Sequence, residues 1–331
     1  MCDGKVQATF FLITYNQEKY IREAVEGAFA QTYSPMEIVI SDDCSTDGTF
    51  RIIEEMCEKY GGQHKIVVNR NSRNLGLIGH INKITALSSG ELIICAAGDD
   101  ISLPHRTEKV VERYLATDRR ASLIHSSVYL IDIAGNRVGM RHPPVISHAK
   151  NGMSIEDMAV SGALINGATA SFTRKIEEAF GLIKYSNCIE DLVMGFRSAL
   201  TGSLEYIAEP LILYRHEAGM SAGFDFRNQT YDLSLKKRIR DQEIFLAVLA
   251  QRIEDLRRIG RVDLLPLVQS KRFEVLLRRT VLVRHYRVVK LISYSVKRGL
   301  FGVFVNSFLL EKKRRIFFSF KKMMHKRAVN S

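Results

Sequence analysis

Cysteine is scarce and unpatterned in this 331-residue chain: five residues, Cys2, Cys44, Cys57, Cys95 and Cys188, with no CxxC spacing. No histidine stands at zinc-like intervals from them, so neither a disulfide framework nor a structural zinc site is indicated, and a reduced setting is expected. No uninterrupted apolar run approaches the roughly 20 residues needed to span a bilayer. The start, Met1-Cys2-Asp3-Gly4-Lys5, lacks the charged, apolar and cleavage regions of a signal peptide. A cytoplasmic chain is expected, soluble or held at a surface. There is also no GxxxxGKS or GxxxxGKT segment, and no GxGxxG after the first apolar run, so the usual phosphate-cradling backbones are missing.

What is present suits a large globular chain. At 46% hydrophobic residues it can bury a sizeable core, with room for one large domain and an appendage. The net charge of +12 favours acidic partners. The charge is uneven, because the first hundred residues are nearly balanced while the chain from Lys236 onward is strongly basic.

Val6 to Ile13 is apolar and ends in the polar turn Thr14-Tyr15-Asn16-Gln17; Tyr20, Ile21, Ala24, Val25, Ala28 and Phe29 then recur at helical spacing. Met36 to Ile40 reads as a second strand, followed by Ser41-Asp42-Asp43-Cys44-Ser45-Thr46-Asp47-Gly48 and a helix from Thr49 to Tyr60. Lys65 to Asn69 is a third strand. A helix running from Gly76 through Leu87 leads to a fourth, Leu92 to Ala97. Such alternation predicts an α/β fold with a doubly wound, mostly parallel sheet flanked by helices. Right-handed crossovers bring the strand ends to one edge, so Tyr15, Asp42, Asp43, Asp99 and Asp100 are expected in one crevice.

The fourth strand runs straight into Gly98-Asp99-Asp100. Two adjacent carboxylates repel unless a cation lies between them or one is protonated. A hard divalent cation completed by phosphate oxygens would relieve them, and an ordinary helix start also uses acids here. An aromatic ring, an acid able to accept from a base N–H and a metal-binding acid pair suit a nucleoside diphosphate.

Four segments, Ile13-Thr14-Tyr15-Asn16, Ser41 to Thr49, Asn74-Leu75-Gly76 with Asn82 downstream, and Gly98-Asp99-Asp100, resemble in order and spacing the family 2 glycosyltransferases of the GT-A fold. The resemblance covers roughly Val6 to Phe224. It implies a nucleotide-sugar donor, UDP-linked, held by Thr14, Tyr15, Asn16, Asp43, Asn74, Asn82 and Asp99, with Tyr15 stacking on the base and Asp43 accepting from it. It implies Mn²⁺ or Mg²⁺ held by Asp99 and Asp100, although Ala97 stands where relatives often carry a further acid. At Cys188-Ile189-Glu190-Asp191 it implies Asp191 as the general base of an inverting transfer with Glu190 beside it; read from the residues alone, acids there are equally capping chemistry. Tyr214-Arg215-His216 is similar to a family run that implies Arg215 as a cation for the leaving group. His216 reads either as part of the metal shell or as a structural histidine. Asn166 to Phe172 resembles the segment lining the sugar, and reads as well as an edge strand and turn. His142 and His148 read as surface residues.

Beyond about residue 226 the material changes. Leu233, Leu235, Ile239, Ile244, Phe245, Val248, Leu249, Ile253, Leu256 and Ile259 follow helical spacing up to Gly260, and further helices are expected from Asp263 to Arg298 and from Phe301 to Lys326. The expected organisation is a catalytic domain over 1–226 and a basic amphipathic helical extension over 227–331. That extension suits an anionic membrane surface or assembly of a homo-oligomer. Nucleic acid is not expected as a partner, since no groove-reading module is present. The resemblance therefore implies transfer of a sugar to a hydroxyl of a cell-surface polysaccharide or lipid-linked glycan acceptor, at the inner face of the cell membrane. The alternative is a non-catalytic nucleotide-sugar-binding subunit of a glycan assembly complex. Phosphoryl-transfer chemistry would need an Asp nucleophile at the end of the first strand, where Thr14-Tyr15-Asn16 stands instead.

Overall fold

The computed structural model describes residues 5–142, 153–161, 165–216, 218, 230–283, 296 and 299–329. The first apolar runs form β1 (Ala8–Thr14), β2 (Glu37–Asp42), β3 (Lys65–Arg70) and β4 (Leu92–Ala97), alternating with α1 (Ile21–Phe29), α2 (Thr49–Glu58) and α3 (Gly76–Leu87). All six residues of β2 are buried, as expected of a strand covered on both faces. In α1 the buried Ile21, Ala24, Val25 and Ala28 keep the helical spacing that the sequence displays.

These four strands are parallel, in the order β3-β2-β1-β4. Past β4 the sheet becomes mixed. The chain continues through β5 (Ile101–Ser102), α4 (Arg106–Ala116), the hairpin of β6 (Ala121–Ile131) with β7 (Arg137–Arg141), α5 (Ile155–Val160), β8 (Ser171–Thr173), α6 (Arg174–Phe180), α7 (Glu190–Thr201) and β9 (Ser203–Arg215). β8 is antiparallel to both β4 and β6, β6 is parallel to β9, and β5 is antiparallel to β9. The expected parallel arrangement thus holds for β1 to β4, which are joined by helical crossovers, and the sheet beyond them is mixed.

One strand differs from its sequence reading. Leu204 to Ala208 should end at Glu209-Pro210, yet β9 runs unbroken to Arg215. Its register against β6 jumps from Ile207 to Pro210, so the proline sits at a bulge where its missing N–H removes no ladder bond.

Side chains alternate across the sheet. Phe10, Leu12, Ile38, Ile40 and Ile94 pack on one face with α1 and α4, and Phe11, Val39 and Ile93 on the other with Val193 and Phe196 of α7. The second core continues without interruption into α8 (Tyr231–Arg258) and α9 (Leu265–Val283), through Val248, Leu249, Leu256, Val268 and Val275. Gly260, at φ 74°, ends α8 where the sequence predicts a break. The remaining helix is α10 (Phe301–Val329).

A bidentate ion pair fixes α8 to α7. Arg197 donates Nε to Asp255 Oδ2 and Nη2 to Oδ1, both at 2.9 Å, and each side chain is 2% exposed. Arg252, also buried, donates to the carbonyls of Ala159, Ser161 and Leu192. Removing one partner of such a pair leaves an uncompensated buried charge. Asp255→Ala is therefore expected to lower the unfolding free energy by about 3–5 kcal/mol, read by equilibrium urea denaturation. A loss within the range of ordinary surface substitutions would show that the pair does not hold the helices.

Candidate active site

The turns after β1, β2 and β4 meet at one edge of the sheet. Asp43 N donates to Thr14 O and Gly98 N to Ile13 O, each at 2.9 Å. The first two turns are laced by side chains. Asn16, at φ 51°, accepts from Thr46 N on Oδ1 at 2.8 Å, its own N–H donates to Ser45 Oγ, and Gln17 N donates to Thr49 Oγ1. Asp42 caps this turn by accepting from Ser45 N at 2.9 Å. Tyr15 projects from it with 45% of its surface exposed.

Asp43 organises the neighbouring loop. Its carboxylate accepts from Asn71 Nδ2 at 2.8 Å, Leu75 N at 2.9 Å and Gly76 N at 3.0 Å. A carboxylate has about four acceptor positions, so one is left for a ligand. Asn74 lies beside it, accepting from the same Gly76 N at 2.8 Å. Asn82 does not join this group: both ends of its amide bind the backbone of Ile183, at 2.9 and 3.1 Å.

At the end of β4, Gly98 is required by space, since a Cβ there would lie 2.4 Å from Gln17 Oε1 and 2.8 Å from Thr14 Oγ1. Burial raises the Asp99 carboxyl, while hydrogen bonding from Gln17 and the Arg215 charge pull it back. Asp100 is 6% exposed, and burial with the Asp99 charge beside it pushes its carboxyl well above the ordinary range. Its Oδ1 accepts from Arg215 N at 2.9 Å. Two crowded carboxylates supplying only oxygen donors fit a hard dication, which keeps part of its shell for water and ligand oxygens. Among the described residues no three His, Cys, Asp or Glu side chains converge to hold a metal. His216 donates its backbone N–H to Ile131 O at 3.2 Å and is not part of such a cluster.

Arg215 differs from its expected role. Its guanidinium is buried and committed to Glu23 Oε2 at 2.8 Å, Asp99 O at 3.2 Å, Asp132 O at 2.9 Å and Ile133 O at 3.1 Å, over the Tyr20 ring. It clamps the acidic loop from beneath instead of facing a leaving group.

The second acid pair opens α7. The N-cap position is Ile189, without a side-chain cap bond, and both acids stand in the first turn, where the helix dipole favours negative charge. Backbone N–H groups of Leu192 and Gly167 donate to Asp191, yet Asp191 Oδ1 and Glu190 Oε2 are shielded from solvent and unpartnered. Burial raises both carboxyls, and the Asp191 charge raises Glu190 further. A Cβ on Gly167 would lie 2.3 Å from Glu190 Oε1, so a larger residue there would displace the Glu190 carboxylate. Residues Gly167–Thr169 form a 3₁₀ turn, followed by β8, which resolves the small-residue segment as turn and short strand.

Arg106 connects the two pairs. It is 1% exposed and donates Nη1 to Ser102 Oγ at 2.8 Å, and Nη2 to Cys95 O at 2.6 Å and Ala168 O at 3.1 Å. Burial lowers its pKa to about 10, with the charge of Asp100 acting against that shift. Arg106 thus binds the Gly167-Ala168 turn, whose Gly167 N–H donates to Asp191, and feels the charge of Asp100 without a direct bond to it. Sequence reading passed over Arg106; the signal was its place four residues before Val110 and eight before Tyr114, on the buried stripe of α4. His142, expected at the surface, is exposed and has Nδ1 2.7 Å from Ser127 Oγ; His148 lies outside the described residues.

A family model described as Glycosyl transferase family 2 matches residues 9–181. EpsE of Bacillus subtilis, named as a glycosyltransferase, is 31% identical over 123 residues, covering 37% of this chain and 43% of that protein. An uncharacterized glycosyltransferase of Methanocaldococcus jannaschii is 35% identical over 127 residues, covering 38% of this chain and 42% of that protein. The chain therefore spans under half the length of these relatives. Two solved structures share its fold at 13% identity and a TM-score of 0.54. One is mannosyltransferase PcManGT from Pyrobaculum calidifontis in complex with GDP-Man and Mn²⁺, covering 97% of this chain and 88% of that one. The other is S. aureus TarS 1-349 in complex with UDP-GlcNAc, covering 93% and 92%.

The raised acid of α7 has a consequence for stability. Because the folded pKa of Glu190 lies above its unfolded value, the folded state holds an extra proton, and stability falls as pH rises through that interval. Glu190→Gln is expected to melt higher than the parent at about pH 8, the difference closing toward about pH 4, where both states are protonated. Differential scanning calorimetry at the two pH values checks it; a lower midpoint at the alkaline value would contradict the shielded carboxyl.

Proposed function

Since the chain belongs to glycosyl transferase family 2, we propose that it transfers a sugar from a nucleoside diphosphate to a glycan hydroxyl, with inversion at the anomeric carbon. The observation that carries this reading is the shielded, unpartnered carboxylate oxygens of Glu190 and Asp191, beside the Gly167-Ala168 turn that Arg106 also binds. An inverting displacement needs a carboxylate base on one side of the sugar and charge neutralisation at the leaving diphosphate on the other.

In this reading the exposed ring of Tyr15 stacks on the base, and the remaining acceptor position of Asp43 takes a base N–H. Thr14, Asn16 and Asn74 shape the rim, and Asp99 faces the ribose. Asp99 and Asp100 would hold Mn²⁺ or Mg²⁺, which when bound neutralises the diphosphate as Lewis acid. Asp191 takes the proton of the acceptor hydroxyl as its oxygen bonds to the anomeric carbon and the bond to the diphosphate oxygen breaks. A raised carboxyl is the stronger base, and burial is what raises Asp191. Arg215 and Asn82 act by positioning, the first under Asp99 and the second between α3 and Ile183. The GDP-Man and Mn²⁺ of one structural neighbour and the UDP-GlcNAc of another support a nucleotide-sugar donor and a dication. A UDP-linked sugar is the expected donor and a GDP-linked one its competitor. The acceptor is a cell-surface polysaccharide or lipid-linked glycan at the inner face of the membrane.

Asp191→Asn is expected to lower the transfer rate by about 10²–10⁴-fold while leaving donor affinity nearly unchanged. Asp100→Asn should instead abolish the Mn²⁺-dependent part of donor binding. Calorimetric titration with UDP- and GDP-sugars, with and without Mn²⁺, and a coupled nucleotide-release assay separate the two effects. Unaltered turnover in Asp191→Asn would favour a non-catalytic sugar-nucleotide subunit.

A further inference from the structure

The helix α10 leaves an apolar stripe uncovered. Phe301, Val305, Phe308, Leu309 and Ile316 are between 36% and 63% exposed, and their spacing of 0, 4, 7, 8 and 15 puts them on one face. Lys312 falls on the same face. One flank of the helix packs against the protein, with Phe304 buried and Phe318 edge-on to Tyr231 at 5.9 Å, while Leu310 and Phe317, away from the stripe, are also exposed.

The charge around this stripe has one sign. Residues 265–331 hold 17 Lys and Arg but only two acids, Glu274 and Glu311, whereas residues 1–264 hold 31 against 34. The whole positive charge of the protein therefore comes from its last fifth. Both acids are neutralised internally. Glu274 lies 3.1 Å from Lys271 and 2.6 Å from Arg278. Glu311, the one acid of α10, is turned inward and accepts from Tyr231 and Arg238. The solvent face of α10 thus presents aromatic and aliphatic side chains with Lys312, Lys313 and Arg314 and no acid.

We propose that α10 docks this protein on an anionic lipid bilayer, the stripe entering the acyl boundary and the basic side chains meeting the headgroups. No helix among the described residues is long and apolar enough to cross a membrane, so α10 lies along the surface. Lys312 reaches the headgroups from within the stripe because its aliphatic stem can lie along the apolar surface. A second copy of the chain is the less suitable occupant, since two faces of this charge repel. The proposal deepens the membrane-side placement of the reaction but rests on the surface of α10 alone.

Co-sedimentation of the full chain with phosphatidylcholine vesicles, with and without phosphatidylglycerol, tests it, and no donor or acceptor enters the assay. Binding is expected to the phosphatidylglycerol vesicles only, and to weaken in high salt. Lys312→Gln and Lys313→Gln should each weaken it about 5-fold. Phe308→Ser with Leu309→Ser should weaken it at least about 10-fold with an unchanged melting midpoint. Should the serine variant fail to fold, the glutamine variants decide. Absent binding, equal binding to both vesicles, or a wild-type dimer that the serine variant converts to monomer would each overturn the proposal.

Discussion

A guanidinium shut away from water, bonded to β4, β5 and the turn beside the second acid pair, sets the relation of these segments in the site. Arg106 reaches the hydroxyl of Ser102, the carbonyl of Cys95 in β4 and the carbonyl of Ala168 in the turn over Glu190. Taking such a cation out of water costs several kcal/mol, and only well-made hydrogen bonds and nearby negative charge offset it. Three oxygens from three separate segments supply the bonds. With its pKa still near 10, Arg106 remains a cation at neutral pH. The loop bearing Asp99 and Asp100 and the turn covering Glu190 and Asp191 are therefore referred to the same rigid point.

The same device recurs. Arg197, Arg215 and Arg252 are also fully buried, and each directs a planar fork of donors at carbonyls or carboxylates of other segments, helical and irregular. Helices and strands satisfy their own backbone, but turns at a sheet edge do not, so long cationic side chains reaching up from below complete them. The consequence for function is an uneven distribution of partners. Asp42, Asp43 and Arg215 are nearly saturated, while Asp191 Oδ1 and Glu190 Oε2 are left without any. A shielded, unpartnered acceptor is costly unless something else meets it, and such groups concentrate where ligands bind.

Much of the fold was legible in the chain. β1 to β4 with their intervening helices follow from periodicity, and α8 begins and ends within two residues of its apolar repeat, because long amphipathic segments carry many consistent positions. The short pieces were not. β5 has two residues, α5 six and α6 seven, too few for any period to show. Pro210 misled in the opposite direction, as a bulge absorbs it inside a continuous strand. The C-terminal helices read as a separate extension, yet α8 and α9 contribute side chains to the same core as β1 and β2.

The amino-acid sequence by itself determined which acids are neighbours, since Asp99-Asp100 and Glu190-Asp191 are adjacent through covalent bonds, and it determined that the basic charge lies in the last helices. It also determined which end of the sheet carries the polar turns, because strand and helix alternate with one handedness. Only the tertiary structure decided which of those residues remain available. Arg215 meets Glu23 and Asp132, Asn82 meets Ile183, and Arg106 meets Ala168, partners 62 to 192 positions away. Local patterns report neighbours within a turn or a strand repeat, whereas hydrogen-bond commitment and loss of water are fixed by whatever distant group packs alongside.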